Sequence, residues 1–288
     1  MMRRWLRWLA LLTLLVLQGC STVKLGYNQL PQLGYWWLDS KLSLNDAQSA
    51  ATRDALEQML RWHREQELLP EAELLARSAQ LASAPVQAQQ VCQVWQEVLR
   101  RADVVMREAV AQAAPVAQQL GPRQLGHLAR HWERQNEEWE KEWLQGPAPR
   151  RLQQRVKRAV ERYEDFYGDL SPAQVALVRA QIEQSAWTAE WGRLDRQRRQ
   201  QDLLVTLRRI QQEPLDTARA ETELWGVWQR WLSPPAPADL ALTERMAEQA
   251  CQTLTQLHNS ATPQQRLRAQ RKLRSYETDL RELAGYRP

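Results

Sequence analysis

The sequence is poor in the residues that many enzyme folds require. Its 288 residues include only 10 glycines, 4 histidines and 3 cysteines. The scarcity of glycine argues against phosphate-binding glycine loops, dinucleotide-binding turns and β-propellers, which all depend on it. Three cysteines are too few for a disulfide-rich scaffold of this length, and four histidines limit metal chemistry. We therefore expect no metal and no cofactor.

Hydrophobic residues are plentiful, at 43%, and they recur at helical spacing. In one segment the spacing i, i+4, i+7, i+8, i+11 marks a buried stripe, formed by Leu152, Val156, Ala159, Val160 and Tyr163. A second stripe consists of valines, namely Val91, Val94, Val98, Val105 and Val110. The sequence shows no strand pattern. We predict an all-α bundle of roughly eight or nine helices without a β-sheet.

Proline and polar residues mark the predicted helix boundaries. A helix beginning at Asn45 or Asp46 is predicted to end at Pro70. The longest helical segment is predicted over residues 171–212. Within it, residues 195–202 include no apolar side chain, so this part must protrude, bend or bridge between neighbours.

The N-terminus has the organisation of a secretory signal. Three arginines precede an apolar run over residues 9–17, which is too short to span a bilayer because a span takes about 20 residues. Leu17-Gln18-Gly19-Cys20 resembles the lipobox of bacterial lipoproteins. This resemblance implies cleavage between Gly19 and Cys20, with diacylglycerol and palmitate on Cys20. An ordinary secretory signal with an incidental cysteine is the alternative.

This organisation predicts the location and the division of the chain. We expect a cleaved signal peptide over residues 1–19, a lipidated anchor and aromatic lead-in over 20–44, and a helical periplasmic domain over 45–288. Ser21 is similar to the residue that follows the cysteine in lipoproteins sorted to the outer membrane. We therefore expect an outer-membrane protein that faces the periplasm and meets the membrane through its N-terminal lipid.

Basic side chains are concentrated on a few helical faces. Losing three arginines with the signal peptide takes the balance from 39 minus 34 to 36 minus 34, or +2. The candidate partner-binding residues on these faces are Arg151, Arg155, Arg158, Arg162, Arg268, Arg271 and Arg274. In the periplasm, an anionic envelope component or an unfolded client fits them, and nucleic acid does not. The alternative is that these arginines only keep the helices soluble.

Most of the 14 tryptophans recur at spacings typical of a helix core. Tyr35-Trp36-Trp37 is the exception, because three adjacent aromatic residues cannot all face one core. We therefore expect this segment to touch the membrane interface or to seal the base of the bundle, and we include it among the candidate partner-binding residues.

Cys92 and Cys251 lie in separate predicted helices. The periplasm is oxidising, so a disulfide is possible if those helices are neighbours. Two thiols buried apart fit the sequence equally well.

Three helix starts share proline at the first helical position and glutamine two residues later, in Leu120-Gly121-Pro122-Arg123-Gln124, Leu170-Ser171-Pro172-Ala173-Gln174 and Ala261-Thr262-Pro263-Gln264-Gln265. The last two also have a capping pattern. Ser171 and Thr262 stand at the N-cap, with proline next and Gln174 or Gln265 placed to bond back to the cap amide. Leu170 to Gln174 also resembles the LTxxQ motif of small periplasmic chaperones of the Spy and CpxP type. Capping explains the pattern without a function, while the resemblance points to a chaperone-like class.

Catalytic groups are sparse. His127 and His131 stand four apart, but a metal site needs further ligands and none is marked. His63 has no partner nucleophile in a recognisable motif. The competing hypothesis is a glycan-acting hydrolase that uses Asp39, Asp46 or Asp54, which requires two of these carboxylates in one cleft. We expect no catalytic residues.

Over its full length the chain resembles a family of helical proteobacterial lipoproteins known as a domain of unknown function. The resemblance rests on Cys20, on Tyr27-Asn28-Gln29-Leu30-Pro31, on residues 35–39 and on Trp62-His63-Arg64. It implies location and fold but no activity. The expected function is therefore non-enzymatic binding, scaffolding or chaperone-like work at the envelope, with a glycan hydrolase or a binder of peptidoglycan or lipopolysaccharide as alternatives.

Overall fold

The computed structural model describes residues 22–213 and 215–285. The predicted signal peptide, Gly19 and Cys20 lie outside the described residues. Within the described part the fold is all-α, as predicted, with twelve helices rather than eight or nine and no strand. The helices are α1 (Thr22–Asn28), α2 (Leu30–Leu42), α3 (Asp46–Gln66), α4 (Leu68–Leu81), α5 (Ala88–Gln118), α6 (Pro122–Trp143), α7 (Ala148–Tyr167), α8 (Pro172–Glu183), α9 (Ala189–Gln212), α10 (Thr217–Leu232), α11 (Pro237–Ser260) and α12 (Pro263–Leu283). None of these helices is long and apolar enough to cross a membrane.

Two predicted boundaries were wrong. The first long helix ends at Gln66, before Pro70, because Glu67 separates it from α4, which begins at Leu68. Pro70 therefore lies in the first turn of α4, where its missing N–H has no helical acceptor to lose. Residues 171–212 form two helices, because the Ser185 and Thr188 hydroxyls accept hydrogen bonds from backbone N–H groups and interrupt the helix.

The buried apolar residues form two clusters. The first core cluster lies among α2, α5, α6, α9 and α10, and consists of Leu42, Val110, Ala114, Ala117, Leu120, Leu125, Leu128, Leu204, Leu207, Ile210, Ala220 and Leu224. The second core cluster lies among α7, α8, α11 and α12, and consists of Tyr167, Val178, Leu257, Ala261 and Ala269. Each cluster lies near a junction where two helix N-termini meet.

The two junctions are built in the same way. At one, the side-chain amides of Gln48 and Gln124 bond reciprocally, with Nε2 to Oε1 distances of 3.1 and 2.7 Å. At the other, Gln174 and Gln265 do the same at 2.9 and 3.0 Å. We call each pair a glutamine clasp.

Every clasp glutamine also caps its own helix. Its Oε1 accepts the N–H of the residue three positions earlier, at 3.1 and 2.9 Å in the first clasp and at 2.9 and 3.0 Å in the second. The capping boxes predicted at Ser171 and Thr262 are therefore confirmed. The sequence pattern gave no sign that these capping glutamines pair with one another.

The charged stretch over residues 195–202 bridges neighbouring helices. Arg196 donates to Asn136 of α6 at 2.7 Å. At the C-terminal end of the same stretch, Asp202 pairs with Arg230 of α10 at 2.9 Å. The polar residues therefore take the place of apolar core contacts between α9 and its neighbours.

A disulfide joins Cys92 of α5 to Cys251 of α11, with the two Cα atoms 5.4 Å apart. It closes a loop of 159 positions in the sequence. Both helices also border the cavity described next.

Candidate ligand-binding cavity

A cavity of about 890 Å³ lies between α4, α5, α7, α11 and α12. Its size falls in the range of roughly 300–1,000 Å³ that is usual for small-molecule sites. Its lining is predominantly apolar, with Leu74, Leu75, Leu81, Val86, Val91, Val94, Trp95, Val98, Val105, Phe166, Leu254, Leu273 and Leu280. Such a lining favours a hydrocarbon ligand over a polar one.

The predicted valine stripe of α5 explains the open space. Of the five valines, Val110 is buried in the first core cluster, while the four before it line the cavity. Val98 is 39% exposed and the neighbouring Trp95 is 47% exposed, so both lie at the mouth. This part of the stripe therefore faces a space rather than another helix.

The floor of the cavity is a closed hydrogen-bond chain. His258 is 3% exposed, its Nε2 lies 2.9 Å from the Ala84 carbonyl oxygen, and its Nδ1 lies 2.9 Å from the Tyr167 hydroxyl. Since a carbonyl only accepts, Nε2 carries the proton and Nδ1 accepts from Tyr167. Burial lowers the pKa of His258 and raises the pKa of Tyr167 to about 12. Both groups are therefore neutral and have their partners.

The opposite end of the cavity adjoins α1. Glu71 lines it and lies 3.5 Å from His63, whose Nδ1 is 3.1 Å from the Tyr27 hydroxyl. Burial raises the pKa of Tyr27 to about 12. Lys24 of α1 pairs with Asp279, at 3.9 Å, beside the cavity residue Leu280. His63, for which the sequence shows no partner nucleophile, therefore lies in a contact that ties α1 to the cavity.

An ion pair between a buried glutamate and a half-buried arginine lies beside the same end. Glu67 is 3% exposed and pairs with Arg101, a cavity residue, at 3.3 Å. Burial raises the pKa of Glu67, and the Arg101 charge opposes this rise. Arg162 is the other cation of the lining, and it is exposed.

The predicted basic residues have different environments. Arg155 lies over the Trp187 ring at 4.8 Å, and Arg158 lies over Trp143 at the same distance and pairs with Glu142. Arg151 donates to the Leu144 carbonyl. These three arginines hold helices together, whereas Arg162 lines the cavity.

The three candidate arginines of α12 are exposed. Arg274 pairs with Glu277 at 2.6 Å, and Arg268 lies next to Gly168. Arg271 faces solvent. The structure therefore does not gather the seven candidate arginines into one surface.

The aromatic segment divides as its spacing requires. Tyr35 is buried, and its hydroxyl donates to Ser49 at 3.2 Å. Trp36 and Trp37 are exposed. The core-spaced tryptophans pack between helices: Trp143, for example, stacks on Trp139 and meets Trp187 edge to face.

The other candidate residues do not form a reactive site. His127 bonds to Ser43, and burial lowers the pKa of His131. In the described part of the chain, no group of three or more potential ligands could hold a metal ion.

The three candidate carboxylates of a hydrolase do not share a cleft. Asp46 and Asp54 are exposed, and Asp39 accepts from the Leu44 amide at 2.9 Å. None of the three lines the cavity. A second depression, of about 770 Å³, lies beside the first glutamine clasp, and its lining includes His127 but none of these three carboxylates.

Sequence reasoning missed the cavity. Tyr167 and His258 stand 91 positions apart, and no motif connects them. The valine stripe of α5 was visible in the sequence, but it predicted a buried face and gave no sign of a cavity.

Comparisons with known proteins place the chain in a family. No curated protein and no solved structure matches it. A family model described as a family of unknown function, DUF6279, matches residues 40–227, which run from the end of α2 into α10. Because this match covers more than half of the sequence, the chain belongs to the DUF6279 family.

Proposed function

We propose that this protein is a lipid-anchored envelope protein that holds the hydrocarbon chain of an anionic amphiphile in the cavity between α4, α5, α7, α11 and α12. The observation that carries the proposal is the apolar cavity itself. About 0.8 kcal/mol is gained for each methylene group moved from water into such a space. An acyl chain is the envelope component with the most methylene groups to bury.

The polar groups around the cavity favour binding over catalysis. Tyr167 and His258 are neutral and bonded to each other, so neither is an activated nucleophile or base. Arg162 at the edge supplies a positive charge for an anionic head group. The cavity therefore combines an apolar interior with one exposed cation.

Three features support a place at the outer membrane, facing the periplasm. The sequence around Cys20 resembles a lipobox. The Cys92–Cys251 disulfide suits an oxidising compartment. Helix α1 begins two residues after Cys20 and adjoins the Glu71 end of the cavity through His63 and Tyr27. An anchored protein would therefore hold this end of the cavity close to membrane lipids.

Photo-crosslinking tests the proposal. The full chain, reconstituted in nanodiscs, is irradiated with a palmitate that carries a diazirine, and the modified peptides are identified by mass spectrometry. We expect labels on cavity-lining residues of α5 and α12. Ala102→Phe and Ser78→Phe fill the cavity and should reduce this labelling severalfold, whereas Ala176→Phe, at an exposed position of α8, should not. Labelling that ignores Ala102→Phe and Ser78→Phe would contradict the proposal.

A chaperone-like protein is the second candidate, because the cavity would also accept apolar side chains of an unfolded client. The LTxxQ-like glutamine Gln174 is 4% exposed and belongs to a clasp, so it would act through the fold rather than by touching a client. The chaperone-like candidate predicts that the protein delays the aggregation of a denatured client and that Ala102→Phe abolishes this delay. If Ala102→Phe also leaves palmitate labelling unchanged, the results favour this candidate over the first.

A further inference from the structure

The first two helices present large apolar side chains to solvent. Leu25 of α1 is 55% exposed, and the other members of this set belong to α2. They are Leu30 at 51%, Leu33 at 49%, Trp36 at 58% and Trp37 at 61%. We call these five residues the outer apolar face. An exposed apolar group of this kind marks an interaction site more often than scattered single residues do.

Helix α2 is apolar on two opposite sides. At about 100° per residue, the four members of the outer apolar face on α2 fall within an arc of about 120°. Tyr35 and Leu42, which are buried against the body, lie on the opposite side. A surface helix usually has one apolar stripe, which packs against the protein core. A helix that is apolar on two opposite sides therefore has a second apolar surface for another partner.

The arc also lacks charge. Its other residues are Gln29 and Ser40, and the Ser40 hydroxyl donates to the Trp37 carbonyl at 2.8 Å. Lys41 stands at the border of the arc, with its Nζ 5.9 Å from the Trp37 ring centroid. A long lysine side chain at such a border can keep its charge in water while its stem covers apolar surface.

We propose that the outer apolar face docks on the surface of a lipid bilayer, with the Trp36 and Trp37 indoles at the level of the head groups. Indole rings combine an apolar body with one N–H donor and are enriched at that level. A helix that lies in the interface buries its apolar face by roughly 5–10 Å.

The order of residues in the chain selects the bilayer as the occupant. Leu25 comes five residues after Cys20, the predicted site of lipid attachment, and eight residues after the apolar run that ends at Leu17. Five residues reach at most about 18 Å when extended. The docking therefore rests on the anchoring part of the proposed function and is independent of the cavity.

Fluorine NMR of the full chain labelled with 5-fluorotryptophan tests the docking. The chain is reconstituted at one copy per nanodisc, and Trp36→Phe and Trp37→Phe assign the two signals. With a water-soluble gadolinium chelate, we expect the Trp95 signal to broaden severalfold more than the signals of Trp36 and Trp37. Equal broadening of all three signals would contradict the docking, since Trp95 is itself 47% exposed.

A matched pair of variants adds a second readout. Leu33→Glu places a charge in the outer apolar face and should expose Trp36 and Trp37 to the chelate. Leu194→Glu changes an equally exposed leucine of α9, at 56%, and should leave both signals protected. Because both leucines face solvent, neither substitution threatens the fold.

The remaining outcomes are also distinct. Protection that requires two copies per nanodisc would show that the face binds a second copy of the chain, and would overturn the bilayer proposal. A chain that fails to co-elute with nanodiscs contradicts both the anchoring and the docking. A chain that co-elutes while Trp36 and Trp37 broaden contradicts the docking alone.

Discussion

The first and second core clusters lie beside the same kind of joint but enclose different interiors. Beside the Gln48–Gln124 clasp, the first cluster is filled by long side chains, including Leu204, Leu207 and Ile210 of α9. Beside the Gln174–Gln265 clasp, the second cluster contains one buried leucine, and three of its helices, α7, α11 and α12, border the cavity. A clasp fixes where two helices begin, and the distances between the helices beyond it then decide whether they enclose a core or a space.

The largest expected effect on stability concerns the helices around the second core cluster and the cavity. Cys92→Ala with Cys251→Ala removes the cross-link between α5 and α11, two walls of the cavity. By the loop-entropy model, a loop of this length contributes about 5 kcal/mol to the free energy of unfolding. Urea denaturation of the oxidised wild type and the double variant measures the difference. An unchanged midpoint would mean that packing alone holds these walls together.

The second prediction compares the two interiors directly. Leu125 in the first cluster and Leu257 in the second are 1% and 0% exposed. Leu125→Ala should lower the free energy of unfolding by about 4 kcal/mol, since a filled core collapses little around the new void. Leu257→Ala should lower it by only about 2 to 3 kcal/mol, because Tyr167 and Ala269 of the same cluster border the cavity and can relax. Equal losses in denaturant titrations would argue that the second cluster is as rigid as the first.

The third prediction separates capping from clasping. Gln174→Ala removes the cap acceptor of α8 and both hydrogen bonds of the clasp, which should lower the free energy of unfolding by about 2 kcal/mol. Gln174→Glu keeps the acceptor for the Ser171 amide but donates nothing to Gln265, so it should recover only part of the loss. Gln48→Ala and Gln48→Glu repeat the test at the first clasp. Thermal unfolding of these four variants measures the losses. If glutamate recovers the full loss, the two glutamines act only as independent caps of their own helices.

The smallest effect depends on pH. The folded pKa of His258 lies below its usual value of 6.5, so the unfolded chain binds the proton more strongly. The resulting stability is complete above pH 6.5 and is lost as the pH falls below 6.5 towards the lowered folded pKa. Between about pH 7.5 and 5.5, wild type should therefore lose more stability than His258→Gln, by about 1 kcal/mol or less. Parallel loss in both proteins would assign the acid sensitivity to other groups.

The sequence predicted what local rules control. Helical periodicity gave the all-α fold, and the capping pattern at Ser171 and Thr262 is present in the structure. The break at Glu67 was missed, because Pro70 is a strong signal that is also tolerated in the first helical turn. The division of residues 171–212 was missed because serine and threonine interrupt a helix only when their hydroxyls turn towards the backbone.

The cavity lay beyond sequence reasoning because it depends on distances between helices. A valine stripe predicts a buried face, yet the same stripe meets a core at Val110 and a space at Val98. Likewise, the sequence did not show that Arg162, rather than the other six candidate arginines, lines the cavity. That difference depends on the contacts of each side chain, such as the contact of Arg155 with the Trp187 ring. Exposure of part of Tyr35-Trp36-Trp37 could be foreseen, since three adjacent residues of a helix cannot all face one core, but the sequence did not show that Tyr35 is the buried one.

The glutamine clasps have a consequence for the conditions under which the bundle keeps its shape. Helix N-termini usually attract carboxylates, whose charge complements the helix dipole and is screened by salt. Here each of four N-termini is capped by a neutral amide that donates to the facing helix while it accepts from its own. The four glutamine amides hold no titratable group and no net charge, so the hydrogen bonds by which they join these helices should be indifferent to ionic strength, even where the arginine contacts around them are not.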